Sequence, residues 1–145
     1  MRYRKGISAI VFKRDGKKVK FLLLHRFKNW TGYEFLKGGL KGKEKEENGL
    51  KRELKEETGI KRLRYVRTGY SYSYRWPKWF VKDNYRFHGA SFHLFIVEDL
   101  DRTDRIRIDR REHIGYLWAD GKKALRLITH SDQRKALRFV LSNYF

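Results

Sequence analysis

Apolar runs separated by short charged stretches occupy the first third of the chain and predict β-strands. Residues 7–12 are apolar and rich in β-branched side chains, as is typical of a buried strand. Residues 19–25 predict a second strand, and the intervening Asp15-Gly16 pair is a strong hairpin signal. A short third strand is expected at residues 33–36.

The spacing of leucines then changes to a helical one. Leu50 and Leu54 lie four residues apart, so they share one helix face, and we expect a helix over about residues 45–58 with Gly59 as its C-cap. Gly49 inside this helix costs about 1 kcal/mol relative to alanine. It indicates a close approach by other backbone or by a ligand, or else a tolerated neutral residue.

The remaining patterns predict strands at 63–74, 85–97 and 112–118, with a polar connection at 82–84, and helices at 124–128 and 131–143. Ser131 is the expected N-cap of the last helix. This order of strands, one helix, further strands and terminal helices predicts an α+β fold around a mixed sheet. A length of 145 residues suits one domain over residues 1–145.

The helix also carries an acidic face, because Glu53, Glu56 and Glu57 lie at positions i, i+3 and i+4. Exposed like charges at this spacing repel by a few tenths of a kcal/mol per pair, roughly. A hard divalent cation such as Mg²⁺ would explain the cluster, since it takes oxygen ligands together with phosphate oxygens. A solvated surface helix is the alternative. The preceding glycine-rich turn, residues 37–42, allows the backbone to approach a ligand closely.

Taken together, residues 38–60 resemble the signature of the Nudix hydrolases, G-x5-E-x7-R-E-U-x-E-E-x-G-U, where U is aliphatic. Every defined position is filled, by Gly38, Glu44, Arg52, Glu53, Leu54, Glu56, Glu57, Gly59 and Ile60. Such a long pattern is far more specific than a lone glycine motif. The resemblance implies an α/β/α sandwich in which this segment forms a loop, a helix and a second loop.

The resemblance also implies an activity and a division of roles. Nudix enzymes hydrolyse a nucleoside diphosphate linked to another group, with Mg²⁺ or alternatively Mn²⁺. By this likeness the metal ligands would be Glu53, Glu56, Glu57 and the carbonyl of Gly38. Glu53 or Glu56 would also orient or deprotonate the attacking water, and the choice between them stays open. Glu44 and Arg52 would form a supporting ion pair.

The flank of the signature points to a subgroup. Residues 33–39 read Tyr-Glu-Phe-Leu-Lys-Gly-Gly, which is similar to the W-x-F-P-K-G segment of dinucleoside tetraphosphate hydrolases and RNA 5′-pyrophosphohydrolases. Tyr33 and Leu36 stand where those proteins usually have tryptophan and proline. This likeness implies a dinucleoside polyphosphate or an RNA 5′-triphosphate end as substrate. A non-catalytic nucleotide- or RNA-binding module and a house-cleaning hydrolase of NTPs or ADP-ribose are the alternatives.

Several residues outside the acidic face are further site candidates. Lys37 could reach a phosphate, or be one surface lysine among many. Glu112 could supply a metal ligand or a general base, or pair with a neighbouring arginine. One or two aromatic side chains would stack a base, each contributing about 1–3 kcal/mol; the candidates are Tyr33, Tyr72, Tyr74, Trp76 and Trp79.

Charge changes the picture of the partners. With 36 Lys+Arg against 17 Asp+Glu, the net charge is +19, which attracts polyanions such as nucleotides and RNA. A generally basic proteome is another explanation. The sequence has no cysteine, no signal-peptide pattern and no long apolar run, so we expect a cytoplasmic protein without a membrane span.

Overall fold

A computed structural model describes residues 2–81 and 86–145. The elements in these residues are β1 (Tyr3–Asp15), β2 (Lys18–Arg26), β3 (Gly32–Glu34), β4 (Leu36–Gly39), α1 (Glu46–Thr58), β5 (Leu63–Arg75), β6 (Gly89–Asp99), β7 (His113–Ala119), α2 (Gly121–Leu127) and α3 (Ser131–Tyr144).

The strands form one mixed sheet. Its main order is β3-β2-β1-β6-β5, while β4 pairs with β1 and β7 pairs with β2. β1 and β6 run parallel, and the other pairs are antiparallel. The pairing of Ile7 with Gly38 matters most for function, because it fixes the glycine-rich β4 against the centre of the sheet.

Helices cover both faces of this sheet, which confirms the predicted α/β/α sandwich. Alternate residues of β1 point to opposite sides: Ile7, Ala9 and Val11 pack with α1, whereas Ile10 and Phe12 pack with α2 and α3. On the first side Leu50 and Leu54 of α1 are fully buried, as their spacing predicts. On the second side the contacts come from Ala124, Ala136, Leu137 and Val140.

The ends of α1 follow from local sequence. Gly59 adopts a left-handed conformation (φ 75°) as the C-cap, and its N–H donates to the carbonyls of Leu54 and Lys55. The N-cap is Lys45, which makes no side-chain capping bond. Gly49 lies at a close approach, but the neighbours are the side chains of Leu40 and Glu44 rather than other backbone.

Two boundaries differ from the sequence prediction. β6 begins at Gly89, whereas the pattern predicted a strand from residue 85; that residue and the polar connection 82–84 lie outside the described residues. The N-cap of α3 is His130, without a side-chain capping bond, and Ser131 is the first helical residue. The Ser131 hydroxyl donates to Asp132 instead, at 3.4 Å. No helix in the described part of the chain is long and apolar enough to cross a membrane.

Candidate functional site

The acidic face of α1 lies against β4, where the two elements meet beside Gly38. Glu53 and Glu57 are buried, with 9% and 6% exposure, whereas Glu56 faces solvent. A Cβ atom on Gly38 would overlap the Glu53 carboxylate, and one on Gly6 would lie 2.5 Å from the Gly38 carbonyl oxygen. Glycines at both positions therefore leave room for the Glu53 carboxylate and for the Gly38 carbonyl.

Arg52 ties this cluster to the preceding loop. Its Nε and Nη2 donate to the two carboxylate oxygens of Glu44 at 2.9 and 2.8 Å, and Nη2 also donates to the Gly39 carbonyl at 3.1 Å. Its Nη1 donates to Glu53 at 2.8 Å and to Glu56 at 3.4 Å. The bonds from Arg52 lower the pKa of Glu44 to about 2. This planar fork fixes the direction of the Glu53 carboxylate.

Glu57 has the least compensated charge of the cluster. Its Oε2 atom is buried without a hydrogen-bond partner. Burial, followed by the nearby charges of Glu53 and Glu112, raises the pKa of Glu57 well above its ordinary value. Burial likewise raises the pKa of Glu53, although the Arg52 bond opposes the shift. A cation placed here would compensate the buried negative charge of Glu57.

The donor set fits a hard divalent ion of the kind that the Nudix signature implies. Within residues 2–81 and 86–145, no group of three Asp, Glu, His or Cys side chains could hold a metal unaided. Mg²⁺ is ordinarily held by one or two carboxylates, with water and substrate phosphates completing its shell. The orphaned Glu57 oxygen and the Glu53 carboxylate supply such a partial shell beside the backbone of Gly38, whose carbonyl is the further ligand that the resemblance implies.

Glu112 approaches the same cluster from the turn before β7. Its charge acts on both Glu53 and Glu57. It lies 3.8 Å from Arg26, whereas the neighbouring Arg111 pairs with Asp109 at 2.8 Å. The structure thus brings Glu112 to the acidic cluster, and the arginine that it contacts is Arg26 rather than a neighbour in sequence.

A buried charge cluster that the sequence did not indicate lies next to it. Glu34 is 1% exposed and contacts His113 Nε2 at 2.8 Å, Arg26 at 3.0 Å and Lys37 at 3.5 Å. Burial alone would raise the pKa of Glu34, but the His113 bond and the two cations hold it below its ordinary value. Ionised Glu34 therefore fixes the two cations at the edge of the site.

Two adjoining clefts open onto these residues. The smaller, about 190 Å³, runs beside Gly38, Gly39 and Glu112, with Arg4 and Lys5 on its other side. The larger, about 380 Å³, is lined mainly by aromatic and polar side chains and falls within the range of roughly 300–1,000 Å³ typical of small-molecule sites. The clefts share Arg26, Lys37, Tyr74, Trp76 and Phe80.

The predicted substrate-binding residues are divided by this geometry. Lys37, Tyr72 and Tyr74 line the larger cleft, together with Trp76 and Trp79. Lys37 donates to the Tyr74 hydroxyl at 2.9 Å and lies 5.0 Å from the Tyr74 ring centroid. The Tyr72 hydroxyl donates to Ser8 at 2.9 Å, and burial raises its pKa. Tyr33 contributes to neither lining and stacks on His25 at 4.7 Å.

Further residues that line the larger cleft were not selected by the sequence analysis. Among them, Trp30 packs edge-on against His130 at 4.4 Å, and α3 contributes Asp132 and Gln133. No local pattern could identify them, because α3 meets β3 and β4 only through the fold. The clearest link is the buried bond from the Phe35 N–H to Gln133 Oε1, 2.7 Å long and 98 residues apart in sequence.

Two comparisons with known protein sequences gave different results. A family model described as the NUDIX domain matches residues 2–140. Comparison with curated protein sequences gives no match.

Solved structures with a similar fold share little sequence with the chain. A C. elegans Ap4A hydrolase in a binary complex has a TM-score of 0.76 and 18% identity, with 96% of each chain covered. The E. coli dihydroneopterin triphosphate pyrophosphohydrolase has a TM-score of 0.78 and 20% identity, covering 98% of this chain and 99% of that one. The Nudix domain of Shewanella oneidensis NrtR, complexed with ADP ribose, has a TM-score of 0.73 and 11% identity, covering 100% of this chain and 90% of that one. At these identities the likeness shows the fold.

Proposed function

The chain belongs to the Nudix family of phosphoric anhydride hydrolases, and on that premise we propose that it is a Mg²⁺-dependent pyrophosphohydrolase of nucleoside polyphosphates. Its best-fitting substrates are a dinucleoside polyphosphate or the 5′-triphosphate end of RNA, and Mn²⁺ is the alternative metal. The observation that carries the proposal is the continuity of the two clefts. A substrate spanning both would place a base among aromatic rings and an anhydride beside Gly38 and Glu112, with the Glu53 carboxylate packed against the Gly38 backbone.

Lys37 and Arg26 lie where the two clefts meet, and they are the groups that would hold the phosphates. Both contact the ionised Glu34, which limits their motion before a substrate arrives. Donors fixed in advance lose little freedom on binding and stabilise charge where it develops during phosphoryl transfer. Arg4 and Lys5 extend the positive surface along the smaller cleft, where further phosphates or an RNA chain would lie.

Glu53, Glu57 and the Gly38 carbonyl are the residues that would hold the metal. A divalent ion bound there supplies neutralisation of phosphate charge and a lower pKa for bound water. The chain's own contribution is positional. Arg52 holds the Glu53 carboxylate in one direction, and the absence of a side chain at Gly38 gives that carboxylate its place beside β4.

Three carboxylates are candidates for orienting or deprotonating the attacking water: Glu53, Glu56 and Glu112. Glu53 and Glu56 are both engaged by Arg52, whereas Glu112 lines the smaller cleft and contacts Arg26 at 3.8 Å. Its place in the cleft lining, and the longer distance to its arginine, favour Glu112 as the base. Its replacement by glutamine would then lower kcat about 10²–10⁴-fold, the usual contribution of a general base, while KM changes little.

Activity on a substrate panel tests the proposal. The panel contains dinucleoside tetraphosphate, triphosphorylated RNA, ADP-ribose, NADH and NTPs, each with Mg²⁺, with Mn²⁺ and with chelator. We expect metal-dependent cleavage, fastest for the first two. Tight, salt-sensitive RNA binding without any metal-dependent cleavage would replace the proposal with that of a binding module. A preference for ADP-ribose or NTPs would place the chain among house-cleaning hydrolases instead.

A further inference from the structure

The polar wall of the larger cleft has a donor and acceptor arrangement that matches one nucleobase edge. Asp132 and Gln133 are adjacent at the start of α3 and both line the cleft, whose lining also includes Trp30, Trp76 and Trp79. Flat aromatic walls suit a planar base, and adjacent polar groups suit hydrogen bonding to its edge.

Gln133 offers a donor to this cleft. It is 2% exposed, and its Oε1 is occupied by the Phe35 N–H at 2.7 Å. This bond fixes the amide orientation, so the NH₂ group is the part of Gln133 available to a ligand. A buried amide that is held in this way accepts no alternative orientation without losing the Phe35 bond.

Asp132 offers acceptors only. Its one polar contact among the described residues is the 3.4 Å bond from the Ser131 hydroxyl, and no Lys or Arg in that part of the chain pairs with it. The carboxylate also repels phosphate, so a bound nucleotide would turn its base towards Asp132 and its phosphates towards Lys37 and Arg26.

We propose that Asp132 and Gln133 select guanine, whose edge carries a 6-oxo group, the N1–H and a 2-amino group, or another ring with the same acceptor–donor–donor edge. The two adjacent N–H donors of that edge fit the two oxygens of Asp132, and its carbonyl oxygen accepts from the Gln133 amide. Hypoxanthine satisfies Gln133 but presents only one donor to Asp132. Adenine in the same orientation places an amino donor against the Gln133 amide and an acceptor nitrogen against Asp132. This inference rests on the proposed function for its substrate class, and adds the base that the cleft prefers.

Inosine supplies an atom-level test, because it lacks only the 2-amino group of guanosine. We expect wild-type kcat/KM for GTP to exceed that for ITP and for ATP on the order of 10- to 100-fold, the range for one bidentate base contact. Asp132→Asn should abolish the difference between GTP and ITP, since its carboxamide presents one acceptor and one donor. Asp120→Asn is the matched control: it also removes a carboxylate at a helix start, outside either cleft, and should retain the preference.

Calorimetric binding of GMP, IMP and AMP without metal separates this inference from the proposed function. A preference for GMP that Asp132→Asn removes supports the inference even if no anhydride is cleaved. Cleavage of GTP, ITP and ATP at equal kcat/KM, or equal binding of the three monophosphates, overturns it while leaving the hydrolase intact. Failure of all three monophosphates to bind also overturns it.

Discussion

The backbone of Gly38 on β4 lies directly against the carboxylate of Glu53 on α1, so closely that a Cβ atom at position 38 would overlap it. Gly38 has an ordinary negative φ, so its role is to leave space rather than to adopt an unusual backbone conformation. The first glycine of the signature and its first helical glutamate are therefore parts of one arrangement. A side chain at residue 38 must displace the carboxylate that we assign to the metal.

Replacing Gly38 by alanine tests this relationship. We expect kcat to fall about 100-fold, because displacement of a catalytic group by about 1 Å costs that much. Gly69→Ala is the control, since a Cβ at position 69 meets nothing within 4 Å. Full activity in Gly38→Ala, in a protein that retains its fold by circular dichroism, would show that the close packing has no catalytic role.

Glu34→Gln should destabilise the protein strongly. The substitution leaves Arg26 and Lys37 facing a neutral group, and loss of one partner from a buried ion pair costs about 3–5 kcal/mol. Urea denaturation at pH 7 measures this loss. The control, Glu98→Gln, breaks a pair with the exposed Arg64 and should cost no more than about 1 kcal/mol.

The pH dependence of the Glu34 contribution has a definite sign. Because the folded-state pKa of Glu34 lies below its ordinary value of 4.5, the stabilisation is complete above pH 4.5 and is lost as the pH falls through the lowered value. The free energy of unfolding of Glu34→Gln should therefore decline less than that of the wild type on acidification below pH 4.5. Parallel declines in the two proteins would contradict the assigned charge state.

Glu57 should cost stability in the metal-free protein. Its folded-state pKa lies well above its ordinary value of 4.5, so the wild type loses stability as the pH rises from 4.5 through that raised value. Below pH 4.5 the group is protonated in both states and the penalty vanishes. We expect Glu57→Gln, in chelator at pH 7, to be more stable than the wild type, because the amide carries no charge to bury beside Glu53 and Glu112; burying a polar group without a partner costs about 1–3 kcal/mol, and more when the group is charged.

Thermal unfolding with and without Mg²⁺ tests whether Mg²⁺ binds at Glu57 or elsewhere on the protein. Mg²⁺ should raise the melting temperature of the wild type through binding to the folded state, and should raise that of Glu57→Gln much less. Equal responses of the two proteins would place the metal elsewhere. The matched control is Glu47→Gln, which changes an exposed glutamate of the same helix and should behave as the wild type does.

The features that the sequence predicted are those that depend on local patterns of residues. The spacing of Leu50 and Leu54 placed α1 on the core, and the apolar run at residues 7–12 predicted a buried strand, which is the centre of β1. Family resemblance assigned the metal face, and the structure adds that Glu53 and Glu57 are buried while Glu56 is not. Burial of that kind depends on β4, which no helical period can reveal.

What the sequence could not predict depends on long-range contacts. Glu34 is separated from His113 by 79 residues, and Phe35 from Gln133 by 98. Glu34 and Gln133 do not stand out in the sequence, since glutamate and glutamine are common on protein surfaces. The same limitation applies to the aromatic candidates: alternation put Tyr72 and Tyr74 on one side of β5, but only the folded chain separates them from Tyr33.

Turnover of Glu57→Gln with Mg²⁺ is the most direct test of the central claim, that this cluster holds the metal for anhydride hydrolysis. Nucleotide or phosphate release from the best panel substrate would be measured for the wild type, Glu57→Gln and the control Glu47→Gln. The account predicts metal-dependent release by the wild type and by Glu47→Gln, and its loss in Glu57→Gln. Unchanged turnover in Glu57→Gln would contradict it.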